Sequence, residues 1–122
     1  MALRANPNSL MVHQISTDVS VEVVWVARTF RGPGAYARGE QIVGAALSVT
    51  SNIAEACGRN TIQEFRQFLG YAKGSAFEVQ TQLRIARNLD PQRSSAIRAL
   101  ENRACLIIKM LGRLQQHPPP VT

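Results

Sequence analysis

This sequence is short of nearly everything from which a catalytic centre is built. It holds two histidines, two cysteines and one tryptophan in 122 residues, and aromatics make up only 6%. His13 and His117 lie near opposite ends of the chain, and neither is placed to act as general base for a serine or cysteine nucleophile. Cys57 and Cys105 form no CxxC spacing. Cys57 falls on an apolar stripe and Cys105 beside one, which favours buried reduced thiols over a disulfide. The turn Gly32-Pro33-Gly34, with Gly39 beyond it, lacks the Lys-Ser/Thr of a phosphate-binding loop and reads as a helix breaker. A bundle core that holds paired metals uses Glu-x-x-His, but Glu55 and Glu78 are followed at the third position by Gly58 and Thr81. No apolar run approaches the ~18–20 residues that span a bilayer. The N-terminus, Met1 to Pro7, lacks the apolar segment of a signal peptide. The expectation is a bacterial-type cytoplasmic protein with no catalytic residue, no cofactor and no metal.

Acidic side chains are also the minority. Eight Asp and Glu stand against fourteen Lys and Arg, for a net charge of +6 and a pI near 10.4. Twelve of the fourteen are arginines, whose planar forks suit bidentate phosphate contacts, and neutralising phosphates releases counterions. A net charge of this size also simply keeps a small domain in solution. Charge alone does not choose between the two.

What the chain does have is helical periodicity. Ile42, Ala46, Val49, Ile53 and Cys57 recur every three or four residues, as do Phe65, Leu69, Ala72, Ala76, Val79, Leu83 and Ala86. Between these runs Gly58 and Asn60 suit a left-handed helix end, and Thr61 with Glu64 reads as a capping box. An antiparallel hairpin about this turn would set Gly44, Ala45 and Ala46 against Gly74, Ser75 and Ala76, and Gln41 against Glu78. Glycine inside a helix costs up to ~1 kcal/mol, so Gly44, Gly70 and Gly74 suggest close helix packing.

Ser9 to Arg31 is ambiguous. Val19, Val21 and Val23 alternate like a strand, yet Val12, Ile15, Val19, Val23, Val26 and Phe30 keep helical spacing over too long a span for one, and helix is the reading adopted. Trp25 lies beside this stripe, half buried or at a subunit contact. Ile97, Leu100, Ala104, Ile107, Leu111 and Leu114 make a further seam, opened by Asp90 as N-cap with Pro91 first in the helix, and stopped by Pro118-Pro119-Pro120. The fold predicted is an all-α, antiparallel up-and-down four-helix bundle. Its single domain spans 1–122, with helices near 9–31, 37–57, 62–89 and 91–116, and a flexible lead-in and tail.

Two blocks carry a resemblance. Ala45-Ala46-Leu47-Ser48-Val49-Thr50-Ser51-Asn52-Ile53-Ala54-Glu55-Ala56-Cys57-Gly58-Arg59 resembles the signature of the intervening-sequence proteins of 23S ribosomal RNA, Arg-Ala-Ala-x-Ser-x-x-x-Asn-Ile-Ala-Glu-Gly. Glu64 to Leu69 and Gly74 to Leu83 are similar to that family's second block. Gly44 and Ala56 depart from the pattern, standing where the family usually has Arg and Gly. The resemblance implies a four-helix bundle and a homopentameric ring. Phe68, Phe77 and Ile108, off the main seams, are consistent with such an interface.

Asn52, Glu55, Ser75 and Glu78 are the polar residues of these blocks. They are either a ligand or RNA site or, the preferred reading, a hydrogen-bonded layer that fixes helix register or a subunit interface. Arg59, Arg66, Lys73, Arg84 and Arg87, with Arg93 and Arg98, are either a phosphate-binding face or a solvated surface, and no aromatic platform interleaves them. The function read from the sequence is a non-catalytic homo-oligomeric bundle with structured RNA as candidate partner. The alternative is a protein–protein scaffold or accessory subunit of a nucleic-acid-processing complex.

Overall fold

The apolar stripes resolve into four helices: α1 (Met11–Ala27), α2 (Ala35–Cys57), α3 (Ile62–Leu89) and α4 (Ser94–Gln116), with a 3-10 turn, Pro91–Arg93, leading into α4. This computed structural model describes residues 10–119; Pro7 and Asn8 of the expected lead-in, and Pro120, lie outside them. Each helix packs on its chain neighbours and α4 returns to α1, giving an all-α, antiparallel up-and-down bundle. The α1–α4 seam is the thinnest of the four.

Every residue of the expected α2 and α3 stripes is buried, including Ile42, Ile53, Phe65, Leu69 and Leu83 at 0% exposure. Burying one such side chain stabilises the fold by roughly 1.5–3 kcal/mol. From α4 come Ile97, Leu100, Ala104, Ile107 and Leu111. The valine-rich segment is helical. Val12, Val19 and Val23 are buried, with Ile15 and Val26 half-buried, so packing overrides the weak helix propensity of β-branched residues. Ser16 and Ser20 are buried among them. The Ser20 hydroxyl lies 2.8 Å from Ser16 O, 3.1 Å from Ala46 O and 3.1 Å from Thr50 Oγ1, which ties α1 to α2 by polar contacts inside the core.

The turns differ from expectation in four places. Helix α1 ends at Ala27 rather than near residue 31, because Thr29 bonds back to Val26 O through both its N–H (2.9 Å) and its hydroxyl (2.6 Å). Gly32 (φ 83) and Gly34 (φ 68) then reverse the chain into α2, which starts two residues earlier than position 37. Gly58 is right-handed (φ −88), since 3-10-type bonds from Gly58 N to Glu55 O and from Arg59 N to Ala56 O close α2 without a left-handed residue. Thr61 does cap α3, accepting from Glu64 N at 3.1 Å. Asp90, expected as an N-cap, makes no side-chain capping bond; its carbonyl accepts from Arg93 N at 3.1 Å and Pro91 opens the 3-10 turn instead.

The hairpin register is also displaced by one helical turn. Gln41 meets Gln82 at 2.8 Å, not Glu78, and Ser48 meets Ser75 at 2.9 Å. Part of the displacement follows from side-chain direction: on both helices a side chain covers the surface N-terminal to its own Cα, so contacting pairs sit C-terminal to backbone-level pairs. Gly44 and Gly74 consequently do not bring α2 and α3 together; both are exposed, and a Cβ on either would meet open space. The close approach occurs at Gly39, where a Cβ would lie 3.3 Å from Ala27 O. Trp25 is 63% exposed, with the Arg28 guanidinium 5.5 Å from its ring.

Candidate nucleic-acid interface

Helix α3 is the element that positions the marked residues, because its two flanks face different neighbours. On the α2 flank lie Ser75 and Gln82; on the α4 flank lie Arg66, Lys73 and Arg87, spaced by seven and then fourteen residues so that they form one row.

The α2 flank carries the motif residues, and only two of the four are joined. Asn52 Nδ2 donates to Ser48 O (2.9 Å) and to Ser48 Oγ (3.0 Å), and Ser48 Oγ lies 2.9 Å from Ser75 Oγ. Ser48, which the sequence reading passed over, is therefore the link in a relay from α2 to α3. Glu55 and Glu78 stand outside it on the exposed surface. Glu55 pairs with Arg59 one turn on, and the Arg59 guanidinium covers the Phe68 ring at 4.7 Å. Asn52 and Ser75 thus belong to a part-buried hydrogen-bonded layer between α2 and α3, and Glu55 and Glu78 lie on the exposed surface beside it. Exposed Leu47 and Tyr71 and the bare backbones of Gly44 and Gly74 share that surface.

The α4 flank is basic. Arg66 Nε donates to Gln115 O (2.7 Å) and Lys73 Nζ to Gln115 Oε1 (2.9 Å), which fixes both stems along the α3–α4 groove. Arg87 donates to Glu101 from Nε (2.5 Å) and from a terminal nitrogen (3.3 Å). Glu101 is the buried carboxylate of α4, at 7% exposure, and the forked contact compensates its charge. The hydrogen bond that Arg87 donates to Glu101 chiefly raises the Arg87 pKa, against opposing desolvation and with a smaller direct attraction. Arg84, three residues before Arg87, is exposed on the same flank. Phe77 lies between Lys73 and Arg84 and is 50% exposed, so an aromatic ring does interleave the basic row. Phe68 and Ile108, expected to be spare, pack instead against the core. The arrangement gathers Arg66, Lys73, Arg84 and Arg87 into one row about 30 Å long and leaves Arg59 out of it.

Gln115 and Glu101, which anchor the row, were not marked in the sequence. Glu101 falls one residue from the seam position Leu100, and that placement was the available signal.

Among the described residues no cluster of three or more His, Cys, Asp or Glu could hold a metal ion. None of the described helices is long and apolar enough to cross a membrane. Cys57 and Cys105 are both free thiols. The sequence profile described as 23S rRNA-intervening sequence protein matches residues 8–113. No curated protein matches the chain. A crystal structure of a protein of unknown function from the S23 ribosomal protein family of Bacteroides thetaiotaomicron superposes with a TM-score of 0.78. It is 19% identical, and the match covers 87% of this chain and 99% of that one. At that identity the likeness is one of fold.

Proposed function

The chain belongs to the 23S rRNA-intervening sequence protein family, and we propose that it is a non-catalytic, homo-oligomeric protein whose α3–α4 flank holds the phosphate backbone of a structured RNA. The observation that carries this reading is the basic row itself. Arg66, Lys73 and Arg84 share one flank and, among the described residues, enter no ion pair, while Arg87 beside them is taken up by Glu101. Fixed guanidinium and ammonium groups along a helix suit a regular line of phosphates, and Phe77 adds a stacking surface within the row.

Self-association, as a ring of five, is assigned to the opposite flank of α3. Leu47 (52% exposed) and Tyr71 (50%) are large apolar side chains left open there, and Gly44 and Gly74 would admit a neighbouring helix closely. The same apolar residues favour the second reading, a scaffold for another protein.

The native mass of the purified protein, with and without a structured RNA fragment at low and physiological salt, separates these readings. A ring that takes up RNA with affinity falling steeply as salt rises supports the first. A ring that ignores RNA at low salt sinks it, and co-purification of one defined protein would establish the scaffold.

A further inference from the structure

The pole of the bundle where α1 turns into α2 and α3 passes into α4 carries a second concentration of arginine, distinct from the α3–α4 row. Arg28 and Arg31 come from the end of α1 and the loop behind it, and Arg93 from the turn before α4. With Thr29 and Phe30 they line an open cavity of about 510 Å³, whose wall includes three arginines and, among the described residues, no acidic residue. Asp90, the nearest acidic residue along the chain to Arg93, is not part of its wall. Among the described residues none of Arg28, Arg31, Arg38 and Arg93 enters an ion pair; the three salt bridges lie elsewhere.

The loop is held in shape. Arg38 donates to Arg31 O (2.7 Å) and to Pro33 O (3.1 Å), and its guanidinium covers the Phe30 ring at 5.3 Å. Arg93 donates to the Thr29 hydroxyl and, at 3.3 Å, to Thr29 O. Two arginines thus fix the loop, while Arg28, whose guanidinium lies 5.5 Å from the Trp25 ring, and Arg31 enter no ion pair among the described residues and can turn to an anion. Like charges gathered without a counter-ion repel one another, and a phosphate placed among them relieves that repulsion while accepting from their forks.

A second cavity, of about 520 Å³, opens beside the first and shares Arg28 and Phe30 with it. Its walls are mostly apolar and aromatic, with Val24, Val43 and Tyr36, and Glu40 is one of the lining residues. Tyr36 is 82% exposed, a large apolar ring with nothing packed over it. A phosphate cavity joined to an aromatic groove has the layout of a site for one nucleotide, with the base lying on a ring and its edge meeting a polar group. A carboxylate such as Glu40 accepts from the exocyclic amino group of a base.

We propose that this pole grips one unpaired RNA nucleotide, its phosphate among Arg28, Arg31 and Arg93 and its base against the open ring of Tyr36. The proposal rests on the reading that the protein binds RNA, and adds which feature of the RNA it selects: a single-stranded residue beside a duplex.

The test compares three probes at one low salt concentration: a blunt RNA duplex, the same duplex with a short single-stranded overhang, and free nucleoside monophosphates. The overhang is expected to bind roughly ten-fold more tightly than the blunt duplex, a stacking-sized difference. Tyr36→Ala, at an exposed position where folding is not at stake, is expected to erase that difference and leave the blunt duplex unchanged, while Tyr36→Phe keeps it. Arg31→Ala is expected to weaken the overhang more than the blunt duplex. A wild-type protein that binds both duplexes equally overturns this proposal and leaves the α3–α4 reading standing. So does a Tyr36→Ala variant that still discriminates. Nucleoside monophosphates that bind as tightly as the overhang overturn it in favour of a free-nucleotide site. Failure to bind any RNA overturns both readings together.

Discussion

The two thiols make opposite predictions for a thiol reagent. Cys57 is 9% exposed and burial pushes its pKa up, whereas Cys105 is half-buried. Labelling of the native protein should modify Cys105 quickly and Cys57 only on unfolding, as peptide mapping would read. The raised pKa has a consequence for stability. The unfolded thiol ionises first, so the contribution of Cys57 is complete below about pH 8.5 and is lost as pH rises through the higher folded value. Melting temperatures measured upward from pH 8 should fall, and Cys57→Ala should fall less steeply. Arg87 and Glu101 pose a pairing question. Arg87→Ala leaves a buried carboxylate without its donor and should destabilise clearly more than Arg84→Ala in denaturant unfolding. Replacing both members by leucine should recover most of the loss, and a double variant no better than Arg87→Ala would show that the pair acts through more than mutual compensation.

At the scale of the helix, the glycines divide by what surrounds them. Gly44→Ala and Gly74→Ala add a methyl group to open space and should each stabilise the monomer by about 0.4–1 kcal/mol. Gly39→Ala must push against Ala27 O and should gain nothing from the same change. If the outer hairpin flank is the self-association surface, the two stabilising variants should also shift native mass towards the monomer. The helices themselves were legible because apolar spacing is a local property: the stripes of α2, α3 and α4 could be read residue by residue, and even the valine-rich α1 kept its period. The hairpin register was not, because it depends on how side chains lean on both helices, which placed Gln82 rather than Glu78 opposite Gln41. For the same reason Asn52 and Ser75 could be marked as members of a polar layer while Ser48, visible in the motif, could not be placed as the residue that joins them. The pole escaped notice because its parts, Arg28, Tyr36 and Arg93, are separated in sequence and meet only when α1 and α2 lie beside the α3–α4 turn.

For the whole molecule, charge is distributed rather than uniform, and salt is the variable that reads it. Binding of a structured RNA should weaken linearly in the logarithm of salt concentration. Lys73→Glu with Arg84→Glu should abolish that binding without altering helical content, since neither side chain belongs to the core. Arg84→Ala alone should lower the salt slope by about 1. Arg59→Ala should leave the slope nearly unchanged, because Glu55 already neutralises that guanidinium. A slope that responds equally to Arg59 and Arg84 would relocate the interface.

The thin seam between α1 and α4, bridged by Glu22 and Arg103, bears on how the chain comes apart. Every other helix contact joins neighbours along the chain, so little loop closure is needed before native contacts form, and folding should fall in the microsecond to millisecond range. Helix α1 is bound firmly on one side only, to α2, and can detach while the α2–α3–α4 core persists. Amide hydrogens of α1 should therefore exchange through a partial opening, and those at the centre of α3 only when the whole protein unfolds.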